Sequence, residues 1–404
     1  MMQLRRRTWW ILGVAAVILT WTLYKSYKGP PRGAMGEVID PDEPAYIAQI
    51  VDNGIRMITA VRQQQGDGVY RRDAHAKTHA CVAASFTARP GLDPAMRVGL
   101  FADSNPHKAW IRFSSGNEHL RSDWLPDARG MAIKILGVPG KKLLEGEENE
   151  TTQDFLMINN PTFFIRNVED YADFTRYQAS GSQFGYFFPS WWNPFGYKLR
   201  EFRIGMRILK WPPKDLLGTR FYSMTAYRLG PANFVKYSAR PVACDARSDA
   251  PGGISSLGAG ALRADLADYV KDKRACFDFM VQLQLPDKNM PVEDPTVEWS
   301  ERDSPFTPVA RIEIQKQVVD GAMQNNFCEN LSMTPWHSLP AHEPVGALNR
   351  IRKAVYQGIA RYRRCMNRVP FGEPKNDGSP QIDSKQVCDP HDVVPVITQA
   401  TLPK

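Results

Sequence analysis

Six short runs rich in β-branched and aromatic residues lie in the middle of the chain, separated by turns rich in Gly, Pro and Asp. They occupy residues 81–88, 108–114, 131–136, 234–238, 275–285 and 309–315. Strands at this spacing, without a helix after each of them, favour an antiparallel sheet or barrel over an alternating α/β fold.

Two amphipathic helices are predicted to flank this sheet. Apolar residues recur at helical spacing in residues 43–64 and again in residues 344–364, where Pro344 suits the first helical turn. The predicted fold class is therefore α+β, an antiparallel β-barrel with one helix before it and one after it.

The N-terminal region has the composition of a membrane segment. Residues 8–24 carry no charge and follow a basic tail, residues 1–7, that contains three arginines. A helix of this length, rising ~1.5 Å per residue, would cross about 25 Å of hydrocarbon. We predict an uncleaved, single-pass transmembrane anchor in preference to a cleaved signal peptide, with the main domain on the non-cytoplasmic side.

Composition also divides the rest of the chain. Residues 25–41 are rich in Gly and Pro and are predicted to form a linker. Residues 42–370 carry the patterns described above and form the predicted globular domain. Residues 371–404 have no periodicity and are predicted to be a tail that is extended over the surface or disordered.

Charge and cysteine content narrow the function classes. The net charge of +8 comes without a nucleic-acid-binding motif, so we expect no nucleic-acid partner. The six cysteines include no C-x-x-C pair, which excludes a zinc ribbon and a covalent c-type haem attachment. Their even number permits disulfides in an oxidising compartment, and buried free thiols are the alternative.

Five short motifs follow one another in a fixed order. They are H-A-K at 75–77, R-F-S at 112–114, D-x-R-G-x-A-x-K at 127–134, N-x-P-x-F-F-I-R at 159–166 and R-x-x-x-Y at 352–356. The series resembles the haem catalase superfamily, most closely its shorter catalase-related peroxidases, and the resemblance covers roughly residues 43–364. It implies a barrel of catalase type that binds haem b.

The resemblance also implies roles for single residues. His75 would be the distal acid/base and Asn159 its amide partner, while Tyr356 would be the iron ligand with Arg352 as its charge partner. The remaining cofactor contacts would be Arg72, Arg112 and Arg363 at the propionates, Ser114 beside His75, and Tyr171 packing on the haem.

These residue types suit peroxide chemistry. A neutral imidazole can accept and return a proton near neutral pH, and an amide can orient a peroxide without competing for that proton. A phenolate ligand donates electron density to ferric iron and needs a nearby cation. Arg352 and Tyr356 stand four residues apart on one helical face, which supplies that cation.

The chain departs from the family pattern near its distal residues. Thr78 replaces the usual glycine, Ala74 replaces the usual valine, and Asn159 requires a one-residue slip for which Asn160 is the competing candidate. We therefore expect slow dismutation of hydrogen peroxide and a preference for bulkier hydroperoxides. The aromatic stretch 184–202 is interpreted either as core or as an interfacial patch on a membrane.

Three functions are left open by the sequence. The first is an enzyme, a haem peroxidase or catalase-related oxidoreductase acting on hydrogen peroxide or organic hydroperoxides. The second is a lipid-hydroperoxide-rearranging enzyme resembling allene oxide synthases, and the third is a non-catalytic haem-binding membrane protein. The expected partners are a peroxide or lipid hydroperoxide, a membrane and a further copy of the chain.

Overall fold

The structure is a computed structural model that describes residues 2–27, 36–211, 214–244, 254, 258–319, 321–383 and 388. Within these residues the helices are α1 (Met2–Tyr27), α2 (Glu43–Gln65), α3 (Val168–Ala179), α4 (Phe184–Phe187), α5 (Leu199–Ile208), α6 (Ala261–Asp272), α7 (Ala322–Asn330) and α8 (Ala347–Met366). The strands are β1 (Lys77–Ala88), β2 (His107–Ser115), β3 (Arg129–Ile135), β4 (Gln153–Ile158), β5 (Phe221–Tyr222), β6 (Tyr227–Leu229), β7 (Asn233–Val242), β8 (Ala275–Leu283) and β9 (Thr307–Ile314).

The strands form one antiparallel sheet that closes on itself. Their order is β5-β4-β3-β2-β1-β9-β8-β7-β6, and a further pairing of β5 with β7 joins the two ends. Eight strands therefore make a closed barrel, and β6 is added outside the ring through β7. The predicted α+β class and the antiparallel barrel are confirmed.

Aromatic side chains fill the barrel. Phe86, Phe155, Phe279 and Tyr237 are fully buried, and the rings of Phe155 and Phe279 lie 4.7 Å apart. Inward and outward residues alternate along each strand, so a small barrel of this kind is a packed core rather than a channel. Any ligand cavity of this domain must therefore lie outside the barrel.

The predicted flanking helices α2 and α8 pack against each other beside the barrel. Their contact is close at Gly54, where an added Cβ would lie 2.6 Å from Cδ1 of Ile359. Helix α8 begins at Ala347, later than Pro344, because Gly346 before it adopts a left-handed backbone with φ of 87°. This packing fixes α8, and with it Tyr356, relative to the sheet.

The N-terminal prediction is only partly supported. Residues 8–24 lie within the continuous helix α1. No helix in the described ranges has both the length and the apolar character needed to cross a bilayer, so the predicted single-pass transmembrane anchor is unsupported.

The six cysteines form three disulfides, which decides between the alternatives that the sequence left open. The pairs are Cys81–Cys328, Cys244–Cys276 and Cys365–Cys388. The first pair joins β1 to α7, and the third joins the end of α8 to the C-terminal region. Part of the predicted tail is also held against the domain, since Glu373 is buried.

Candidate active site

A cavity of about 610 Å³ lies between the outer surface of the barrel and helix α8. Residues 72–75, just before β1, line it together with the ends of β2, β3 and β4. Helix α8 supplies Arg352, Tyr356 and Arg363 to the same cavity. His75 and Tyr356, about 280 residues apart in the sequence, therefore share one site.

The barrel holds His75 in an unusual backbone conformation. Its φ of 57° lies in the left-handed region, which costs a non-glycine residue about 1 kcal/mol or more. Two hydrogen bonds compensate: the His75 amide donates to the Gly116 carbonyl at 3.0 Å, and the Arg112 guanidinium donates to the His75 carbonyl at 2.7 Å. The position of His75 is thus set by β2 and the residue that follows it.

The His75 ring is fixed as tightly as its backbone. Its Nδ1 shares a hydrogen bond with Oγ of Ser114 at 3.0 Å. A Cβ on Gly130, in the neighbouring strand β3, would lie 2.6 Å from both Nδ1 and Cε1 of the ring. Glycine at position 130 is therefore what leaves room for the imidazole.

Burial, together with the positive charges of Arg112, Arg352 and Arg72, lowers the pKa of His75 to about 3. The imidazole is consequently neutral at physiological pH. An anionic ligand bound by Arg72 and Arg112 would cancel two of these three charges and raise the pKa of His75 again.

Tyr356 lies on the opposite wall, beside a buried cation. Nε of Arg352 donates to the Tyr356 hydroxyl at 3.2 Å, and its Nη1 donates to Oδ1 of Asn349 at 3.2 Å. Burial lowers the pKa of Arg352, but Tyr356 and Tyr227 outweigh it and raise that pKa above its ordinary value. Arg352 is therefore a permanent cation, as a phenolate at position 356 would require.

Three arginines form a cationic wall around one carboxylate. Arg72 and Arg363 both contact Glu329 of α7, with Nη1 to Oε1 distances of 3.0 and 3.5 Å. Burial raises the pKa of Glu329, but Arg72 and Arg363 outweigh it and lower that pKa. Arg112 lies in the same group: burial and then Arg72 lower its pKa well below the ordinary value.

One polar group of this cationic wall lacks a hydrogen-bond partner among the described residues. In the described structure, the buried Nε of Arg112 has no hydrogen-bond partner. The three guanidinium groups lie near two carboxylates, Glu329 and Asp73, so positive charge is in excess. A further anionic group would fit here, and haem propionates are such groups, so the wall fits the cofactor that the sequence predicts.

The predicted distal amide does not lie at the cavity. Oδ1 of Asn159 accepts from the Arg129 backbone amide at 3.0 Å, and its Nδ2 donates to the Ile208 carbonyl at 3.3 Å. The side chain of Asn160 is used within its own turn, where its Nδ2 donates to the Thr162 carbonyl at 2.8 Å. Neither asparagine lines the cavity, so the geometry gives the prediction for Asn159 no support.

Apolar residues form the part of the cavity wall where the distal amide was expected. Ile158, Phe163 and Met224 line the cavity. The sequence contains a signal for this, because Asn159 fits the family pattern only with a one-residue slip. Tyr171, the predicted packing residue, does line the cavity, and burial followed by the charge of Asp73 raises its pKa.

A second polar cluster, to which the motifs assign no role, reaches the cavity at Glu147. Lys134 and His337 are fully buried and contact Asp154, at 2.9 and 2.8 Å, while Nζ of Lys134 also contacts Glu373. The three groups Glu147, His337 and Glu373 have the spacing of metal ligands. The Lys134 ammonium already provides their positive charge, so we interpret the cluster as structural.

Comparisons with known proteins show likeness at the level of structure. The sequence matches no known family profile and no curated protein. Among solved structures, a fungal catalase matches with a TM-score of 0.55 and 16% identity, over 75% of this chain and 61% of that chain. A bacterial catalase matches with a TM-score of 0.56 and 17% identity, over 83% of this chain and 63% of that chain.

Catalase A from Saccharomyces cerevisiae matches with a TM-score of 0.54 and 16% identity, over 83% of this chain and 68% of that chain. The chain thus spans less than two thirds of the length of the fungal and bacterial catalases. These likenesses show that the domain has the catalase-type fold, with its eight-stranded antiparallel barrel and flanking helices.

Proposed function

We propose that this protein is a haem-dependent oxidoreductase that acts on organic hydroperoxides. The observation that carries the proposal is the sharing of one cavity by His75, the Arg352–Tyr356 pair and the cationic wall. Haem b would be held by Tyr356 at its iron and by Arg72, Arg112 and Arg363 at its propionates. When bound, it would supply an iron centre able to cleave an O–O bond.

The protein's own residues would then move the proton and hold the substrate. His75 is neutral, and its Nδ1 is bonded to Ser114, which leaves Nε2 to accept the proton of a hydroperoxide and to return it to the leaving oxygen. Arg352 stabilises negative charge on the Tyr356 oxygen. The cationic wall would hold an anionic ligand in place between His75 and Tyr356.

The apolar wall favours a substrate larger than hydrogen peroxide. Ile158, Met224 and Phe163 line the cavity and offer no hydrogen bond to a small polar peroxide. They can pack against the alkyl part of an organic hydroperoxide, which gains free energy from burial. The same wall suits rearrangement of a lipid hydroperoxide, so that reaction is the second candidate.

The disulfides support a proposal for the location of the domain. Bonds such as Cys81–Cys328 persist in oxidising compartments and are rare in the cytosol. We therefore place the domain on the non-cytoplasmic side.

Haem binding is tested with two tyrosine variants of the same helix. The full chain is expressed with a haem precursor, and a pyridine haemochrome assay should show stoichiometric, extractable haem. Tyr356→Phe should lose it, whereas Tyr362→Phe, which changes a buried tyrosine of α8 that does not line the cavity, should retain it. Wild-type protein without haem, or Tyr356→Phe with full haem, would refute the proposal.

Activity is tested by product analysis with a fatty-acid hydroperoxide and an added phenolic electron donor. Consumption of the donor with formation of the alcohol identifies reduction, and an isomer or a dehydration product of the substrate formed without donor identifies rearrangement. His75→Ala should retain haem and lower turnover by about 10² to 10⁴-fold. Haem-loaded protein that leaves the hydroperoxide unchanged would show a haem-binding protein without catalysis.

A further inference from the structure

The aromatic stretch 184–202 divides into a buried layer and an exposed layer. Tyr186 is fully buried, and Phe187 and Phe188 pack on Phe202 with ring centroids 5.5 and 5.1 Å apart. Above this layer, Trp191 and Trp192 are 89% and 72% exposed. The interpretation as core therefore applies to the buried layer, and the interpretation as an interfacial patch is open only for the exposed layer.

The exposed tryptophans are held in place rather than left on an open loop. A 3-10 turn at Pro194–Gly196 follows them, and the hydroxyl of Tyr197 donates to the Trp191 carbonyl at 3.3 Å. The Tyr197 ring in turn packs on Phe188, with centroids 5.2 Å apart. Two large apolar rings are thus presented to solvent on a packed aromatic base.

Helix α5 and the residues after it add further exposed apolar and basic groups. Met206, Leu209 and Trp211 are exposed, and Trp211 keeps 65% of its surface. The basic residues between and after them, Arg207, Lys210 and Lys214, are exposed as well.

Lys210 is near enough to the other two cations to be repelled by both of them. Burial lowers the pKa of Lys210, and the positive charges of Lys214 and Arg207 lower it further. An anionic surface beside these cations would lower their electrostatic free energy, because it offsets the repulsion. Apolar rings interleaved with clustered cations are the combination that interfacial membrane-binding segments use.

The opposite face of α5 reaches the active-site cavity. Ile204 and Ile208 are buried against Ile158 and Met224, and these two residues line the cavity. One helix therefore separates the exposed patch from the apolar wall of the candidate active site.

Helix α1 continues the same surface. It packs on α5 and on the Pro194–Gly196 turn, and the rings of Trp21 and Phe195 lie 4.7 Å apart. Its own Trp9, Trp10 and Leu12 are exposed.

We propose that residues 191–211 form a docking surface for the headgroup region of a bilayer rich in anionic phospholipid. Trp191, Trp192 and Trp211 enter the headgroup region. Arg207 and Lys210 contact the lipid phosphates. The apolar wall of the cavity then lies one helix away from the membrane surface. The proposal does not depend on haem, so it can fail or succeed independently of the proposed function.

The first test is flotation of the full-length protein with vesicles. Vesicles containing phosphatidylglycerol should bind it, vesicles of phosphatidylcholine alone should bind it weakly, and high salt should weaken binding. Arg207→Gln with Lys210→Gln should weaken binding by about thirtyfold, because each basic residue near an anionic surface contributes about a fivefold factor. Lys141→Gln with Lys271→Gln removes the same charge from exposed sites elsewhere and should leave binding within about twofold.

A second test separates this surface from α1. The six cysteines are paired, so a single new cysteine can be labelled with an environment-sensitive fluorophore. A label at exposed Asn193→Cys should shift to the blue on anionic vesicles, and a label at Lys141→Cys should not. Binding without a shift at position 193, equal loss in both charge variants, or self-association through this patch in place of vesicle binding would each overturn the proposal.

Discussion

Gly130→Ala is the smallest change that should disable the candidate site. The new methyl group would lie 2.6 Å from Nδ1 and Cε1 of His75 and 2.8 Å from Oγ of Ser114. Position 130 is in the regular strand β3, opposite Ser114 and Ile158, so alanine fits the backbone there. The clash with the imidazole is therefore the main consequence of the substitution.

The size of the effect follows from these distances. Ordinary contact begins at 3.4 Å, so a ring now at 2.6 Å must move by about 0.8 Å. A misplacement of about 1 Å in a catalytic group typically costs about 10²-fold in rate. We expect peroxide turnover to fall by roughly 10- to 100-fold, and the strain to cost about 1–3 kcal/mol of stability.

The assay measures hydroperoxide turnover per bound haem, together with the thermal midpoint. Gly321→Ala is the matched control, because an added Cβ there meets nothing within 4 Å. In a His75→Ala background the Gly130→Ala change should lose most of its effect on stability, since the ring is gone. Wild-type turnover in Gly130→Ala, or an unchanged stability loss without the ring, would refute the placement of His75.

Three further predictions concern the cavity wall and the buried charges. Ile158→Asn places an amide on the apolar wall and should raise the ratio of kcat/KM for hydrogen peroxide to that for cumene hydroperoxide by about tenfold; a lower ratio would contradict the role of the wall. Stability should be greatest near pH 6.5 in thermal unfolding from pH 4 to 10. Burial lowers the pKa of His342 to about 3, so the unfolded chain binds the proton more readily and stability falls as the pH drops from about 6.5 towards 3. Burial opposes protonation of His337, but Glu373 and Asp154 raise its pKa to about 9, so roughly 3 kcal/mol present below pH 6.5 is lost as the pH rises through 9. His342→Asn should make the acid limb shallower, with His75 still contributing to it, and should leave the alkaline limb unchanged. Lys134→Met leaves the buried carboxylates Asp154 and Glu373 without their cation and should destabilise the protein by about 3–5 kcal/mol in urea unfolding, and a loss below about 1 kcal/mol would show that the cluster reorganises.

The fold was predictable where a residue pattern is regular and long. Strands β1, β2, β3, β8 and β9 and helices α2 and α8 each follow a clear period in the sequence. Strand β5 has two residues and β6 has three, which is too short for a period. Their positions are fixed by pairing with β7, and such pairing is a long-range contact that no local pattern encodes.

The candidate site was likewise predictable only where local motifs define it. His75, Ser114 and Tyr356 could be named from local motifs, and the structure brings them to one cavity, although their catalytic roles stay predictions. The prediction for Asn159 rests on the N-x-P-x-F-F-I-R motif, but hydrogen bonds to the backbone of Arg129 and Ile208 hold its side chain away from the cavity. Glu329 carries no motif, and its importance comes from Arg72, which lies about 260 residues before it.

The separation of His75 and Tyr356 along the chain has a consequence for biosynthesis. One wall of the cavity is made by residues 72–75 and the other by α8, after nearly the whole domain has been synthesised. The left-handed backbone at His75 also needs Gly116 and Arg112 in place before it is stable. A nascent chain therefore has no two-sided pocket until α8 has been synthesised, and any ligand that needs both walls can bind only after that point. Binding of that ligand is therefore a separate step that follows the synthesis of α8.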